Sequence, residues 1–121
     1  MPKLLIVDDE VDVREFAGNF FRKRGVEVLI SSGGAEALSL IADQRPDLVL
    51  LDIRMEEMSG MDVLRKIRSS GNLIRVIMVS GLEDDGIVVE AKKLGAVSFI
   101  HKPLVLEELE GVVLRELGLK S

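Results

Sequence analysis

The chain has 121 residues, 47% of them apolar and 31% charged, with 16 Lys plus Arg against 21 Asp plus Glu for a formal net charge of −5. That length suits one domain, residues 1–121, with a core of its own, and the apolar share is far above that of disordered chains. The lack of cysteine, tryptophan and tyrosine, with a single histidine, excludes disulfides, thiol nucleophiles, thiolate metal sites and base-stacking surfaces, while the acid excess argues against direct binding of nucleic acid.

Lys3-Leu4-Leu5-Ile6-Val7 is a short aliphatic run ending in Asp8-Asp9, the pattern of a strand buried on both faces. From Glu10 to Arg24 the apolar residues Val13, Phe16, Ala17, Phe20 and Phe21 share one helical face, and Gly25 stands where a C-terminal cap belongs. The three phenylalanines are expected in or near the core. Val26 to Ile30 reads as the second strand, Ser31 to Gly34 as a turn, and Ala37, Leu38 and Ile41 as the inner face of a second helix ending before Pro46. Asp47-Leu48-Val49-Leu50-Leu51-Asp52 is the third strand and, like the first, ends on a carboxylate.

A polar loop, Arg54 to Ser59, leads through Gly60 to a third helix with Val63, Leu64 and Ile67 inward. Met55 and Met58 are expected to pack under that loop. The fourth strand runs from Ile74 to Val79 and meets Ser80-Gly81. The fourth helix carries Ile87, Val88, Ala91 and Leu94 and closes at Gly95; Ala96 to Ile100 is the fifth strand, and a last helix spans about Glu107 to Leu117. Strands alternating with helices in this way predict an α/β fold, a doubly wound parallel sheet with helices on both faces. No apolar stretch approaches the roughly 18 residues of a membrane span, and no signal-peptide pattern opens the chain, so a cytoplasmic protein with no membrane partner is expected.

Ligands of an open parallel sheet bind outside the carboxyl ends of its strands. Here those ends carry Asp8, Asp9, Asp52, Ser80 and Lys102. Converging carboxylates must raise a pKa or attract a cation, and an oxygen-only donor set suits a hydrated Mg²⁺ ion that shares a phosphate with its substrate. Lys102 then reads as a point charge for that phosphate and Ser80 as a hydroxyl donor. Asp52, ionised at neutral pH, can attack phosphorus without a separate base and form an aspartyl phosphate. The bland alternative for Asp8, Asp9 and Asp52 is helix capping, since Asp9 and neighbouring Glu10 sit at a helix N-terminus, where the dipole stabilises acids anyway.

These residues resemble the receiver domain of two-component response regulators, and the resemblance covers essentially the whole chain. It is carried by Val7-Asp8-Asp9-Glu10, by Leu50-Leu51-Asp52-Ile53-Arg54-Met55 through Met58-Ser59-Gly60, by Ser80-Gly81, by Gly95-Ala96 and by Phe99-Ile100-His101-Lys102-Pro103. It implies a flavodoxin-like sheet of order 2-1-3-4-5 with five helices. It further implies phosphorylation of Asp52 by a histidine kinase or phosphotransfer protein. Mg²⁺ would be held by Asp8, Asp9, Asp52 and the backbone carbonyl of Arg54, with Ser80 and Lys102 on the phosphoryl group. Phe99 matches an aromatic switch residue that alters the surface of the fourth helix, fifth strand and last helix, and the Lys102-Pro103 peptide is expected to be cis.

Two departures stand out. Where the family often has Met-Pro-Gly-Met, this chain has Met55-Glu56-Glu57-Met58, and strand five lacks the paired acids of the largest DNA-binding subfamily, having Val97-Ser98. Arg54 and Leu82, two residues beyond Asp52 and Ser80, cannot orient a hydrolytic water as an amide and a carboxylate do, which implies slow self-dephosphorylation. Val89 and the broadly apolar last helix point to a partner surface, a homodimer among the options. Besides a signalling switch, the residues leave open a Mg²⁺-dependent aspartyl-phosphate phosphatase, which would usually want a second carboxylate where Arg54 stands. A flavodoxin-like cofactor binder would want a Ser/Thr-rich loop and a stacking aromatic. A phosphorylation-independent binding module is the remaining option. His101 is expected to face solvent and is given no role.

Overall fold

The computed structural model describes residues 1–81 and 85–119. Its elements alternate throughout: β1 (Lys3–Val7), α1 (Val11–Arg22), β2 (Glu27–Ser31), α2 (Gly34–Gln44), β3 (Leu48–Asp52), α3 (Gly60–Ser69), β4 (Arg75–Ser80), α4 (Asp85–Lys93), β5 (Ser98–His101) and α5 (Leu106–Glu116). The strands form one parallel sheet in the order β2-β1-β3-β4-β5. This is the predicted doubly wound fold, flavodoxin-like in its strand order.

Period-two alternation along the central strands divides the core. Leu5, Val7, Val49, Leu51, Val76 and Met78 face α2, α3 and α4, where they meet Ala37, Ile41, Val63, Leu64, Ile67 and Ala91. Leu4, Ile6, Leu48, Leu50, Ile77 and Val79 face α1 and α5, meeting Ala17, Phe21, Leu109, Val113 and Leu114. Each Leu, Ile, Val, Met or Phe among these, fully withdrawn from water, contributes about 1.5–3 kcal/mol. Because β1, β3 and β4 are covered on both faces, their inner stretches Leu4–Val7, Leu48–Leu51 and Val76–Val79 are apolar at every position rather than at every second one.

Three strands begin later than the apolar runs suggest, at Glu27, Arg75 and Ser98 instead of Val26, Ile74 and Ala96. The amides of Val26 and Ala96 bond back to Phe21 and Ala91 of the preceding helix, at 3.2 and 3.0 Å. That of Ile74 is taken by the Asn72 side chain at 2.9 Å. These residues close a helix or turn before the ladder begins. Gly25 performs the turn after α1 with φ of 80°, a conformation costly for any side chain-bearing residue.

The reading of the phenylalanines needs one correction. Phe21 is fully buried and Phe20 half-buried with the Arg24 guanidinium 3.5 Å over its ring, but Phe16 is 47% exposed. The inner face of α1 is centred on Ala17, Gly18 and Phe21. Phe16 lies at the edge of an apolar arc wider than the sheet needs. Among the described residues no helix is long and apolar enough to cross a membrane.

Candidate functional site

At the carboxyl ends of the strands, parallel register brings β1 and β3 side by side, Val7 opposite Leu51, so the residues that follow them meet. Asp8 and Asp52 are both 3% exposed. The β5–α5 connection delivers Lys102 between them, its backbone amide donating to the Ser80 carbonyl at 2.8 Å. The Lys102 ammonium lies 3.1 Å from Asp8 Oδ2, 3.3 Å from Asp52 Oδ2 and 3.2 Å from Glu10 Oε1. The Lys102–Pro103 peptide is cis.

Each carboxylate is also oriented by backbone. Glu10 N donates to Asp8 Oδ1 at 2.9 Å and Arg54 N to Asp52 Oδ1 at 3.2 Å. Arg14, one turn into α1, donates from Nη1 to the Asp8 carbonyl at 2.8 Å. Asp9 is exposed, yet an oxygen from each of Asp8, Asp9 and Glu10 lies within 4.8 Å of the others. Ser80 is buried at the end of β4, where it pairs in register with His101. The structure places Asp8, Asp52, Ser80 and Lys102 at one edge of the sheet, with Asp9 at the rim and the Arg54 amide on Asp52; the Arg54 side chain is exposed. Leu82 lies outside the described residues.

Glu10 is the member that sequence reasoning assigned elsewhere. It occupies the N-cap position of α1 but makes no side-chain cap bond; its carboxylate reaches Lys102 instead. The acidic run was visible, but a contact across 92 positions of sequence was not. Phe99 is half-buried against the α2/α3/α4 side of the sheet, and His101 is exposed as expected.

The loop after β3 is fixed by close packing. Gly60 N donates to the Ile53 carbonyl at 2.8 Å, and a Cβ on Gly60 would run into the carbonyl oxygen of Asp52. Met55 and Met58 pack against the core beneath the loop, as expected. Glu57, at the place of the glycine in Met-Pro-Gly-Met, keeps a left-handed backbone with φ of 64°. A non-glycine residue there costs about 1–2 kcal/mol, partly offset by the smaller entropy it loses on folding. Glu57→Gly is therefore expected to stabilise the fold by about 0.5–1 kcal/mol, read as a higher urea midpoint with unchanged slope; a lower midpoint would contradict the strain.

Electrostatics single out Asp52. Burial, then the charge of Asp8, push its carboxyl up to about 6, against the opposing pull of Lys102 and the Arg54 amide. Burial works against the charge on Lys102, but the hydrogen bond to Asp8 and the charges of Asp52 and Asp8 outweigh it and hold the ammonium above its usual range. Between the ordinary 3.8 of an aspartate and about 6, the folded state binds more protons at Asp52 than the unfolded chain. Stability therefore falls as pH rises through that window. In metal-free buffer the urea midpoint of the native chain is expected to rise between about pH 7.5 and about pH 5 relative to that of Asp52→Asn. Parallel midpoints would refute the assignment.

One cleft adjoins this region, of 670 Å³ and lined by Val13, Phe16, Pro103 and Leu104 together with Glu10 and Lys102. A second cavity, 810 Å³, lies at the opposite end of the sheet around Arg45, Pro46, Leu73 and Leu117. It is larger but gathers no buried reactive groups, so chemistry and not volume marks the functional end.

Residues 4–114 match the family model described as "Response regulator receiver domain". The chain is 34% identical over 119 residues to "Sporulation initiation phosphotransferase F" of Bacillus subtilis, covering 98% of this chain and 96% of that protein. It is 40% identical over 119 residues to "Regulatory protein AtoC" of Escherichia coli, covering 98% of this chain but only 26% of that one. A crystal structure of a response regulator receiver domain protein from Methanospirillum hungatei superposes with a TM-score of 0.92 at 27% identity, covering 98% of this chain and 94% of that one.

Proposed function

Because this chain belongs to the response regulator receiver domain family of two-component signalling, we propose that it is a phosphoacceptor switch, with Asp52 accepting a phosphoryl group from a phosphohistidine donor. The observation that carries the reading is the Lys102 ammonium set between two buried carboxylates, Asp8 and Asp52, at 3.1 and 3.3 Å. Buried carboxylates this close, with one cation between them and Asp9 and Glu10 adjoining, leave excess negative charge. Burial first, and then the charge of Asp8, raise the Asp52 carboxyl to about 6.

An all-oxygen donor set with surplus negative charge fits Mg²⁺. Asp8, Asp9, Asp52 and the Arg54 carbonyl are the residues that would hold it, and it would supply neutralisation of the charge shared by carboxylates and phosphoryl oxygens. The rest falls to the chain itself. An Asp52 carboxylate oxygen forms the new bond to phosphorus as the bond to the donor imidazole nitrogen breaks, and the imidazole leaves with the electron pair. Lys102 gives up a carboxylate contact for a phosphoryl oxygen, and the Ser80 hydroxyl donates to another. Arg54, two residues beyond Asp52 and with no side-chain carboxylate or amide to orient a water, supports slow loss of the group to water.

The donor protein is served by the apolar cleft beside Lys102. Phe16 and Leu104 offer an aromatic and an aliphatic contact to a helix that brings its histidine to Asp52. Phe16→Ala is expected to slow phosphotransfer from a cognate histidine kinase or phosphotransfer protein by about tenfold while leaving phosphorylation by acetyl phosphate unchanged. Equal losses with both donors would place Phe16 in the fold instead. Exposed Val89 on α4, Val97 just before β5, and Val105 and Leu106 at the start of α5 supply the output surface, for an effector or a second copy. The decisive test is intact mass after incubation with acetyl phosphate, with and without Mg²⁺. One added phosphoryl group that requires Mg²⁺ supports the reading, and no adduct under either condition overturns it.

A further inference from the structure

Of the helices, α4 is the one most weakly held by apolar packing. Among its described side chains only Ala91 is fully withdrawn from water, whereas α3 buries Gly60, Met61, Val63, Leu64 and Ile67. Polar contacts from α3 make up the difference. Arg65 donates from Nε and Nη2 to both carboxylate oxygens of Glu90 in the middle of α4, at 2.5 and 2.7 Å, and is itself aligned by Asp62 at 2.8 Å. One turn on, Arg68 donates from Nε to the Leu94 carbonyl at 2.5 Å and from Nη2 to that of Gly95 at 3.4 Å, where α4 ends. Its Nη1 is fixed on the Asn72 carbonyl at 2.9 Å. A cation on the last carbonyls of a helix is favoured by the helix dipole as well as by the bonds, and planar guanidinium forks fix direction as a lysine cannot.

The other end of α3 touches the phosphoacceptor. Its first residue, Gly60, lies against the Asp52 carbonyl, and its amide bonds to Ile53. One rigid, well-buried helix therefore joins Asp52 to α4. We propose that Arg65 and Arg68 form a two-point clamp that holds α4 against α3 in the unphosphorylated chain, so that α4 changes position only when these contacts are given up. They are positioning residues for α4 and play no part in the chemistry. The inference takes its trigger, though not the clamp itself, from the phosphoacceptor reading.

The two halves differ in exposure, which makes them separable. Arg65 and Glu90 are 47% and 41% exposed and screened by salt; Arg68 is half-buried and bonded to neutral carbonyls. Hydrogen exchange of α4 amides on the full chain reads both. Glu90→Gln is expected to speed exchange of the α4 amides by about threefold at low salt, and about 1 M NaCl to reproduce that effect in the native chain but add nothing to the variant. Arg68→Met, which keeps the stem but loses the donors, is expected to give about tenfold, with Arg68→Lys recovering part. Unchanged α4 exchange in both variants overturns the clamp, as does a rise spread equally over β1 and α1.

If the chain with α4 released is the state that accepts the group, loosening α4 in advance enlarges its population and should speed phosphorylation by acetyl phosphate, by about threefold in Glu90→Gln. A loosened α4 with an unchanged rate overturns the coupling to Asp52. If the native chain takes up no phosphoryl group, the phosphoacceptor reading fails, while exchange in the unphosphorylated variants still decides the clamp.

Discussion

Asp52→Asn is expected to take up phosphoryl groups from acetyl phosphate more than about a thousandfold more slowly than the native chain, with no adduct visible by intact mass in the time that modifies the native protein fully. The amide oxygen is a neutral, poor nucleophile, whereas the carboxylate needs no deprotonation at neutral pH. The substitution keeps the side-chain shape and the acceptor for the Arg54 amide that now bonds Oδ1 at 3.2 Å. It removes one of two buried negative charges, whose mutual repulsion contributes to the raised Asp52 carboxyl. At neutral pH in metal-free buffer the variant should therefore be at least as stable as the native chain while losing the chemistry. That pairing separates a lost nucleophile from a lost fold. Mg²⁺ should raise the urea midpoint of the native chain more than that of the variant, because the variant has lost one carboxylate ligand. Full phosphorylation of Asp52→Asn would move the acceptor to another residue and overturn the assignment.

Gly60→Ala should cost about 3 kcal/mol or more in unfolding free energy. Alanine is the better residue at a helical position by roughly 1 kcal/mol, so propensity alone predicts a gain. What opposes it is contact with backbone. An ideal Cβ on Gly60 would meet the carbonyl oxygen and carbon of Asp52 and the Cα of Ile53, none of which can rotate aside as the end of a side chain could. Either α3 shifts or the end of β3 does, and both displace Asp52 from Lys102. The comparison variant is Gly111→Ala in α5, where nothing stands within 4 Å of the added carbon. There the propensity gain should appear as a rise in stability of up to about 1 kcal/mol. Chemical denaturation of the two variants measures the contrast, and a stabilised Gly60→Ala would show that the loop after β3 can yield.

Much of this protein was written in its sequence. The runs Leu4–Val7 and Leu48–Leu51, aliphatic at every position, announced strands covered on both faces, and each broke at a carboxylate where the ladder ends. The alternation of such runs with helical stripes determined the sheet, because few chain paths bury strands of that kind. Asp8, Asp52, Ser80 and Lys102 could be placed at one edge for the same reason: each follows or ends a strand, and parallel strands bring those ends together.

What the sequence left to the tertiary structure depends on distance and exact direction. Phe16 belongs to the apolar face of α1 by spacing, yet the width of the sheet leaves it outside, half-exposed in the cleft beside Lys102. Glu10 reads as a helix-capping acid, but packing of the β5–α5 connection puts a lysine within its reach. Glu57 and Gly60 look like ordinary loop and helix residues until the chain closes on itself and one is held at positive φ and the other against the Asp52 carbonyl. Arg65 and Arg68 lie outside the inward Val63, Leu64 and Ile67 stripe, which assigns them no partner; only the placement of α4 gave them Glu90 and the carbonyls of Leu94 and Gly95. Periodicity reports which side of an element faces inward, an average property of many residues. A single contact between distant elements depends on ångström-scale placement, which only the packed fold decides.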